Sequence, residues 1–295
     1  MALLSLVLLN LMWGGSLPAT KLALTSFGPF TLAAARLVLA AALFVAVLQP
    51  ATLRRVRRRD AVAMAALGVI GFAGVQVFQA LGTSLTSGST ATVLASTSPM
   101  WIAVLAPVLL RERLHAWAVL GLLIALGGVA LITGFGEEAP LAGSMVGNVV
   151  VSLSSVAAAL YTVLGKGLAQ RYSPLLFCSL SCVGGALASL PFAAWELMSS
   201  TVRVPDLLGW LLLVYLGVLV TFVGFAVWFW GLRALPAAQA GALMFLQPVS
   251  GLLLAALILG DRPTPAFLVG CGLVLAGVYL AAGRVRPQDV ATQQA

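Results

Sequence analysis

Charged side chains are scarce in this sequence: Asp, Glu, Lys and Arg make up 8% of its 295 residues, against 61% for hydrophobic residues. A soluble domain carries roughly 25% charged residues. No water-soluble core could hide so much apolar surface in a chain of this length, so the lipid bilayer must solvate most of it. The lack of charge therefore excludes a water-soluble fold and predicts an integral membrane protein.

Metal ligands and catalytic groups are scarce as well. His115 is the only histidine, and the three cysteines, Cys178, Cys182 and Cys271, all lie inside apolar runs. Cys178 and Cys182 share a helix face, but zinc needs about four ligands and no third one is near. We therefore expect no metal and no cofactor. The sequence also lacks a Ser–His pair, a carboxylate pair at membrane depth and a P-loop motif, which disfavours an intramembrane enzyme and a nucleotide-hydrolysing pump.

Acidic residues are missing from the interiors of the apolar runs. A proton-coupled pump usually keeps an ionisable relay in the membrane, so this absence favours facilitated diffusion or exchange. Glu112, between Arg111 and Arg113, is expected to pair with these neighbours at the interface, and a gating role is the alternative. The other acids, in loops or at the ends of runs, are Asp60, Glu137, Glu138, Glu196, Asp206, Asp261 and Asp289.

Ten apolar runs of about 20 residues predict ten transmembrane helices, which we number as predicted spans 1 to 10. The gaps are short and leave no room for an extramembrane domain. The first run could be a cleaved signal peptide, but no basic residues precede it and similar runs follow, so we expect it to be retained. The spans are 3–23, 30–48, 61–81, 87–110, 114–134, 143–165, 174–195, 207–232, 236–259 and 265–283.

The basic residues fall unevenly between these spans. Twelve lie on one side of a ten-span topology and only Arg203 and Arg262 lie on the other, while Lys21 and Arg36 lie within spans. This bias is the positive-inside signal, and it places both termini in the cytoplasm of a multi-pass protein of the bacterial inner membrane. It also explains the net charge of +8 without nucleic acid. The twelve are Arg54, Arg55, Arg57, Arg58, Arg59, Arg111, Arg113, Lys166, Arg171, Arg233, Arg284 and Arg286.

The two halves of the chain resemble each other. Residues 98–121 match 247–270 at an offset of 149, and an offset of 145 relates Lys21 to Lys166 and Pro29 to Pro174. Five spans is an odd number, so two copies must have opposite orientations in the membrane, an architecture associated with alternating-access transporters. We therefore expect an all-α membrane protein of ten transmembrane helices in two inverted five-helix repeats, 1–138 and 139–284, followed by a disordered cytoplasmic tail, 285–295.

Several motifs resemble those of one known family. They are the W-G-x-x-x-x-x-x-K of span 1, the A-A-A-R of span 2, the S-P run that ends in R-E-R, and the matching Q-P run that ends in G-D-R. Over nearly the whole chain the sequence resembles the EamA branch of the drug/metabolite transporter superfamily. The resemblance implies two inverted repeats, a central cavity lined mainly by spans 1, 3, 4, 6, 8 and 9, and export of small metabolites such as amino acids.

Two cations lie inside the spans near the predicted outer side. Lys21 is roughly 5 Å from the end of span 1, and Arg36 is roughly 9 Å from the start of span 2. Lys21 can reach the interface by snorkelling, which makes it a candidate for the outer gate rather than for binding. Arg36 is deeper and is the better candidate for a substrate carboxylate.

Two prolines near the middle of their spans, Pro99 and Pro248, are expected to break helices beside the cavity. Each removes one helical hydrogen bond and follows a polar residue, Ser98 or Gln247, and such breaks are tolerated in lipid only where protein or water satisfies the backbone. A simple kink is the alternative. Gln247 would place a polar group at the same depth.

Polar and aromatic side chains inside the spans complete the predicted substrate site. Gln76 and Gln79 share one face of span 3 and need polar partners. Aromatic residues far from span ends are not explained by an interfacial belt, although helix packing explains any single one equally well. At most one of Trp228 and Trp230 can line the cavity. The remaining aromatic candidates are Trp13, Trp101 and Tyr161.

The sequence thus predicts a secondary transporter that exports amino acids or related compounds. Its partners would be a small-molecule substrate and the lipid bilayer, in a monomer or homodimer. The alternatives are a lipophilic-cation exporter, which would want a membrane carboxylate, and a sugar-phosphate or nucleotide-sugar carrier, which would use Lys21 and Arg36.

Overall fold

The computed structural model describes residues 1–53, 56–85, 94–112, 114–132, 145–199, 205–259 and 265–282. Every regular element in these ranges is a helix. Five helices are long and apolar enough to cross a membrane, namely Pro29–Val47, Arg58–Gln79, Met145–Arg171, Pro174–Ser199 and Leu207–Ala234. Shorter apolar helices are Ala2–Gly14, Ser98–Leu110, Ala116–Leu131 and Leu268–Ala281. The predicted tail 285–295, the G-D-R motif and Glu137, Glu138 and Arg203 lie outside the described residues.

The predicted spans of the first half contain helices that are often interrupted. Span 1 is divided into Ala2–Gly14 and Ser16–Ala23, and span 2 is the single helix Pro29–Val47, followed by the turn Pro50–Leu53. Span 3 contains Arg58–Gly68, the π-helix Val69–Gly74 and Val75–Leu85. The main helices of spans 4 and 5 are Ser98–Leu110 and Ala116–Ile132.

The second half has two unbroken helices and two interrupted ones. Spans 6 and 7 are Met145–Arg171 and Pro174–Ser199. Span 8 contains Leu207–Val214, the π-helix Tyr215–Val223 and Gly224–Ala234. Span 9 contains Ala237–Ala242, a 3-10 turn Leu243–Phe245 and Leu246–Leu259, and span 10 is Pro265–Ala282.

The helices pack in pairs that join the two halves of the chain. Span 2 packs on span 7, span 5 on span 10, span 1 on spans 8 and 9, and span 6 on spans 3 and 4. Glycines allow the closest approaches, as expected in lipid, where helix association depends on close van der Waals contact. A Cβ on Gly121 would lie 2.5 Å from the Gly277 carbonyl oxygen, and one on Gly68 would lie 1.7 Å from that of Ser181.

The start of the span 2 helix is capped by an acid from span 7. The carboxylate of Glu196 accepts hydrogen bonds from the Thr31 backbone N–H and hydroxyl, both at 2.7 Å, and from the Phe30 backbone N–H at 3.3 Å. Gly28 makes room for it, because a Cβ there would lie 2.3 Å from Glu196 Oε2. An acid at a helix start satisfies free N–H groups and interacts favourably with the helix dipole. The contact fixes span 2, and with it Arg36, against span 7.

Replacing Glu196 with alanine is therefore expected to destabilise the protein by about 1–3 kcal/mol, because two backbone N–H groups and a hydroxyl lose their buried acceptor. The melting temperature in detergent measures the effect. Met198→Ala, two residues further along the same helix at a side chain that is 89% exposed, is the matched control and should leave that temperature unchanged. Equal melting temperatures for Glu196→Ala and the wild type would show that the cap contributes nothing.

Candidate functional site

Two irregular helices, in spans 1 and 8, are joined by hydrogen bonds from a side chain of each to a backbone carbonyl of the other. The span 1 helix is interrupted at Gly15, and Pro18 cannot donate the backbone hydrogen bond that would continue the helix there. Opposite lies the π-helix Tyr215–Val223 of span 8. The Tyr215 hydroxyl donates to the Met12 carbonyl oxygen at 3.1 Å, and Trp13 Nε1 donates to the Val220 carbonyl oxygen at 2.9 Å. Interrupted helices and π-helices are common at functional sites in membrane transporters and other proteins.

Trp13, a predicted substrate residue, is a structural link between these helices. Its ring is 8% exposed and packs against Phe225 and Trp228, with ring centroids 5.3 and 5.6 Å away. A Cβ on Gly224 would lie 2.4 Å from Trp13 Nε1, so only glycine allows the indole to approach. The polar atom of Trp13 is therefore occupied by span 8, which leaves the ring as the part that can contact a substrate.

Trp13→Phe keeps an aromatic ring but removes the indole N–H that reaches Val220. We expect a loss of about 1 kcal/mol in stability, the typical value of one hydrogen bond, seen as a lower melting temperature. Trp230→Phe, at a side chain that is 47% exposed, is the control for losing an indole. The link between spans 1 and 8 would be refuted if the two variants melted at the same temperature.

Arg36 reaches the next residue of the same π-helix. Its Nε and Nη2 atoms donate to the Thr221 hydroxyl at 3.3 and 3.2 Å, and that hydroxyl donates to the Leu216 carbonyl oxygen at 2.8 Å. The guanidinium is partly buried, and within the described ranges no carboxylate forms an ion pair with it. A cation held away from water without an anion is costly. Among the described residues, the Thr221 hydroxyl is the hydrogen-bond acceptor that Arg36 contacts, and a guanidinium carries five N–H donors.

We call Trp13, Arg36, Tyr215, Val220 and Thr221 the span 8 junction. Two of its members were predicted from the sequence, whereas Tyr215, Val220 and Thr221 were not. Tyr215 and Thr221 lie in an apolar run, and no sequence pattern there indicates that the helix widens to a π-helix around them. The junction brings spans 1, 2 and 8 together at one point.

A second polar contact lies between spans 1 and 9. Gln247 Nε2 donates to Asn10 Oδ1 at 2.8 Å, and Asn10 Nδ2 donates to the Leu6 carbonyl oxygen at 2.7 Å. Asn10 is fully buried and was missed by the sequence analysis. One turn further along span 1, a Cβ on Gly14 would lie 2.6 Å from the Gln247 carbonyl oxygen. Gln247 is thus held beside the interruption in span 1, as a residue of a polar binding site would be.

Both predicted prolines lie just after an interruption in their spans. Pro99 occupies the first turn of the helix Ser98–Leu110, where its missing N–H removes no hydrogen bond, and a turn at residues 96–97 precedes it. Pro248 follows the 3-10 turn Leu243–Phe245. The breaks therefore lie one turn before the prolines and not at them. Across the first break, the Ser155 hydroxyl of span 6 donates to the Leu94 carbonyl oxygen at 2.8 Å.

The other predicted site residues have varied surroundings. Tyr161 is 3% exposed in a ring cluster with Phe72, Phe177 and Phe229, and its hydroxyl lies 3.0 Å from Ser181 Oγ. Trp228 is also buried, whereas Trp101 is 39% exposed. Gln76 and Gln79 follow the π-helix of span 3 and are partly exposed. The side chain of Lys21 lies outside what the structure describes.

An ion pair joins three segments at the end of the bundle that carries Arg57 and Arg171, which we call the basic end. Lys166 Nζ lies 2.5 Å from Glu112 Oε1 and donates to the Leu235 carbonyl oxygen at 2.6 Å. Glu112 Oε2 accepts from the Ala237 backbone N–H at 2.6 Å, at the start of the span 9 helix. The side chains of Glu112 and Lys166 are 11% and 5% exposed. We call this network the clasp; it joins the ends of spans 4 and 6 to the turn between spans 8 and 9.

The clasp corrects two expectations. Lys166, placed in a loop from the sequence, lies inside the helix Met145–Arg171 and is buried. Glu112 pairs with Lys166, 54 residues away, and not with its neighbour Arg111; Arg113 is outside the described ranges. The reason is local: Arg111 has a left-handed backbone conformation, with φ of 58°, which turns the chain as the helix ends. Glu112 and Glu196 do lie at helix ends, as expected, but Glu112 is half-buried and Glu196 is buried there.

In the described part of the chain, no group of three or more His, Cys, Asp or Glu residues could hold a metal ion. What the described residues offer is a partly buried guanidinium at the span 8 junction, amide groups at Asn10 and Gln247, and one largely buried ion pair at the basic end.

Comparison with known proteins identifies similar proteins that are named transporters. The sequence profile of the EamA-like transporter family matches residues 1–134 and again residues 145–283. An uncharacterized transporter of Archaeoglobus fulgidus is 31% identical over 91% of this chain and 94% of its own length. A probable terminal-alkyne amino-acid exporter of Streptantibioticus cattleyicolor is 30% identical over 95% of this chain and 92% of its own.

A solved structure supports the fold. A crystal structure with 23% sequence identity superposes with a TM-score of 0.81 and covers 95% of this chain and 96% of its own. At that identity the likeness concerns the fold alone.

Proposed function

Because this chain belongs to the EamA-like transporter family, we propose that it is a secondary transporter that exports amino acids or closely related compounds by alternating access. The observation that carries the substrate class is the Arg36 guanidinium, which is partly buried at the span 8 junction with a hydroxyl, and no described carboxylate, as its partner. A carboxylate is the anion that every amino acid offers, and an Arg–carboxylate pair can form two parallel hydrogen bonds. The name of the Streptantibioticus cattleyicolor relative supports the same class.

The amide groups between spans 1 and 9 suit the rest of such a substrate. The Gln247 side-chain oxygen accepts no hydrogen bond from a described residue and can accept one from a substrate ammonium group. The Trp13 ring, which belongs to the span 8 junction, packs against Phe225 and offers an apolar surface. In the proposal Gln76, Gln79, Trp101, Tyr161 and Trp228 complete the walls as the bundle changes shape.

The proposed architecture is ten spans in two inverted repeats, 1–138 and 139–284. The family profile matches twice, at positions that correspond to these halves. The π-helix Val69–Gly74 of span 3 falls on residues 218–223 at the offset of 149, within the π-helix Tyr215–Val223 of span 8. Span 1 packs on spans 8 and 9 as span 6 packs on spans 3 and 4, which is the exchange of partners that two related halves produce.

The clasp is the proposed inner gate. By the positive-inside rule the basic end faces the cytoplasm of a bacterial inner-membrane protein, with both termini inside. Spans 4, 6 and 9, three of the expected cavity walls, meet at the clasp, so the cavity cannot open inward until Glu112 and Lys166 separate. The carboxylates of Glu112 and Glu196 are both committed to partners, which supports exchange without a proton relay.

The repeat suggests a matching outer gate. The sequence offsets relate Lys166 to Lys21 and Glu112 to Asp261. We expect this second pair to close the outer side when the clasp is open, which gives Lys21 the gating role predicted for it. Asp261 lies outside the described residues, so this part of the proposal rests on the sequence repeat. The partners are the bilayer and a small solute, in a monomer or homodimer.

Dipeptide feeding tests the proposed export in cells. Bacteria that cleave an imported dipeptide accumulate its amino acids, and expression of this chain should raise the rate at which they appear in the medium. Cells with an empty vector and cells with Arg36→Gln, expressed to the same level, are the controls. Unchanged excretion across a panel of dipeptides, together with resistance to lipophilic cations, would replace amino-acid export with the drug-export alternative.

A further inference from the structure

A cleft at the basic end is lined by four polar residues from two neighbouring spans. It has a volume of about 440 Å³ and is lined by Arg57, Asp60, Arg171 and Tyr172. Arg57 and Asp60 begin span 3, while Arg171 and Tyr172 end span 6 and lead into span 7. The clasp and the span 8 junction contain none of these residues, so the cleft has no part in the proposed transport route.

Within the cleft, Asp60 contacts both Tyr172 and Arg171, and we call this group of contacts the anchor. Its carboxylate accepts a short hydrogen bond from the Tyr172 hydroxyl and lies 3.5 Å from Arg171 Nη1. That hydrogen bond raises the pKa of Tyr172, which therefore stays protonated as a donor. Asp60 is 15% exposed, whereas the Arg171 side chain is 66% exposed. The anchor therefore orients Arg171 while most of its guanidinium remains open to solvent.

The charge left in the cleft is positive. Its lining holds two guanidinium groups and one carboxylate, and the exposed side chains of Arg58 and Arg59 follow directly in the chain. Two helices also start here, Arg58–Gly68 and Pro174–Ser199, and helix starts add partial positive charge and free N–H groups. Guanidinium groups bind phosphate through paired hydrogen bonds.

The position of the cleft indicates where such a phosphate comes from. Three long apolar helices border it and begin or end within two residues of its lining: Arg58–Gln79, Met145–Arg171 and Pro174–Ser199. The cleft therefore lies at the level where apolar helix gives way to polar surface, which is the depth of lipid headgroups. Basic pockets between transmembrane helices on the cytoplasmic side can bind anionic headgroups.

We propose that this cleft binds the phosphate of an anionic phospholipid of the cytoplasmic leaflet, held by Arg57 and Arg171. The lipid would fasten the start of span 3 to the junction of spans 6 and 7. Asp60 and Tyr172 position Arg171 and do not themselves need to contact the phosphate.

Native mass spectrometry of the purified full-length chain tests the proposal. The protein is titrated with phosphatidylglycerol and, separately, with phosphatidylcholine. Bound phosphatidylglycerol should be detected at a lower lipid concentration than bound phosphatidylcholine. Arg57→Gln and Arg171→Gln should each weaken phosphatidylglycerol binding by about fivefold, the effect of one basic residue near an anionic surface. Arg233→Gln removes an exposed charge at the end of span 8, outside the cleft, and is the matched control.

Three results would overturn the proposal: equal binding of the two lipids, loss of binding in Arg233→Gln as large as in the cleft variants, or wild-type affinity in Arg57→Gln and Arg171→Gln. A separate experiment adds inorganic phosphate or glycerol phosphate as a competitor. If either displaces phosphatidylglycerol at concentrations where the lipid itself binds, the ligand is a soluble phosphate. Melting temperatures of all variants in phosphatidylcholine establish that each is folded.

Discussion

Lys166→Met is expected to open the basic end of the bundle and to lower the rate of substrate exchange sharply. Removing one partner of a buried ion pair leaves an uncompensated charge, at a cost of about 3–5 kcal/mol. Glu112 would then favour a conformation in which it reaches water, and the span 9 helix that it caps would separate from spans 4 and 6. A shift of this size approaches the roughly 5.5 kcal/mol that moves a two-state equilibrium from 1:99 to 99:1.

Cysteine labelling measures that opening. Ala238 is buried at the start of the span 9 helix, beside the residue that Glu112 contacts. In a protein with Ala238→Cys, a membrane-impermeant maleimide applied to the predicted cytoplasmic face should react faster when Lys166 is methionine. Lys166→Arg keeps the charge and is the matched control.

A double variant separates gating from folding. Glu112→Gln with Lys166→Met leaves no unpaired charge, so most of the lost stability should return, whereas the cysteine should stay accessible because the ion pair is absent. Equal labelling and equal exchange in the wild type and in Lys166→Met would show that the clasp does not close the inner end.

Arg36→Gln is expected to weaken transport of substrates that carry a carboxylate by about 10- to 150-fold. A hydrogen bond to a charged group contributes about 1.5–3 kcal/mol, and here the substrate would lose such a contact in a partly dry site. Arg36→Lys keeps the charge but loses the planar fork, so an intermediate loss is expected.

The chemistry of the substrate provides the control for Arg36. An amino acid and its methyl ester differ in the carboxylate, so the wild type should prefer the free acid and Arg36→Gln should lose most of that preference. A variant that loses stability alone would slow both compounds equally. If Arg36→Gln discriminates between acid and ester as the wild type does, the carboxylate binds elsewhere.

The sequence was sufficient for the class of fold because apolar length and the placement of basic residues are physical properties of segments. Spans 2, 3, 6, 7 and 8 appear as long apolar helices close to their predicted positions. The partners of buried polar groups could not be obtained in this way. Glu112 has two arginines beside it in the chain and no signal that points to Lys166, and hydropathy gives Asn10 no connection to Gln247.

Some of the features that the sequence analysis missed do have a signal in the sequence. Lys166 lies only five residues after Tyr161 in a run without breaks, and its correspondence to Lys21 could have indicated a place inside the helix. The π-helices of spans 3 and 8 have no such signal, although the one in span 8 is where Trp13 and Arg36 make their contacts across the bundle. Trp13 was predicted as a substrate residue, but the use of its indole by span 8 needed the three-dimensional arrangement.

Counterflow in proteoliposomes tests the central claim most directly. Vesicles that contain the purified chain and an unlabelled amino acid should take up the same labelled amino acid faster than protein-free vesicles do, with no proton gradient imposed. Arg36→Gln vesicles should show little uptake. Uptake that requires a proton gradient would contradict exchange, and uptake of lipophilic cations or sugar phosphates with no amino acid exchanged would contradict the proposed substrate.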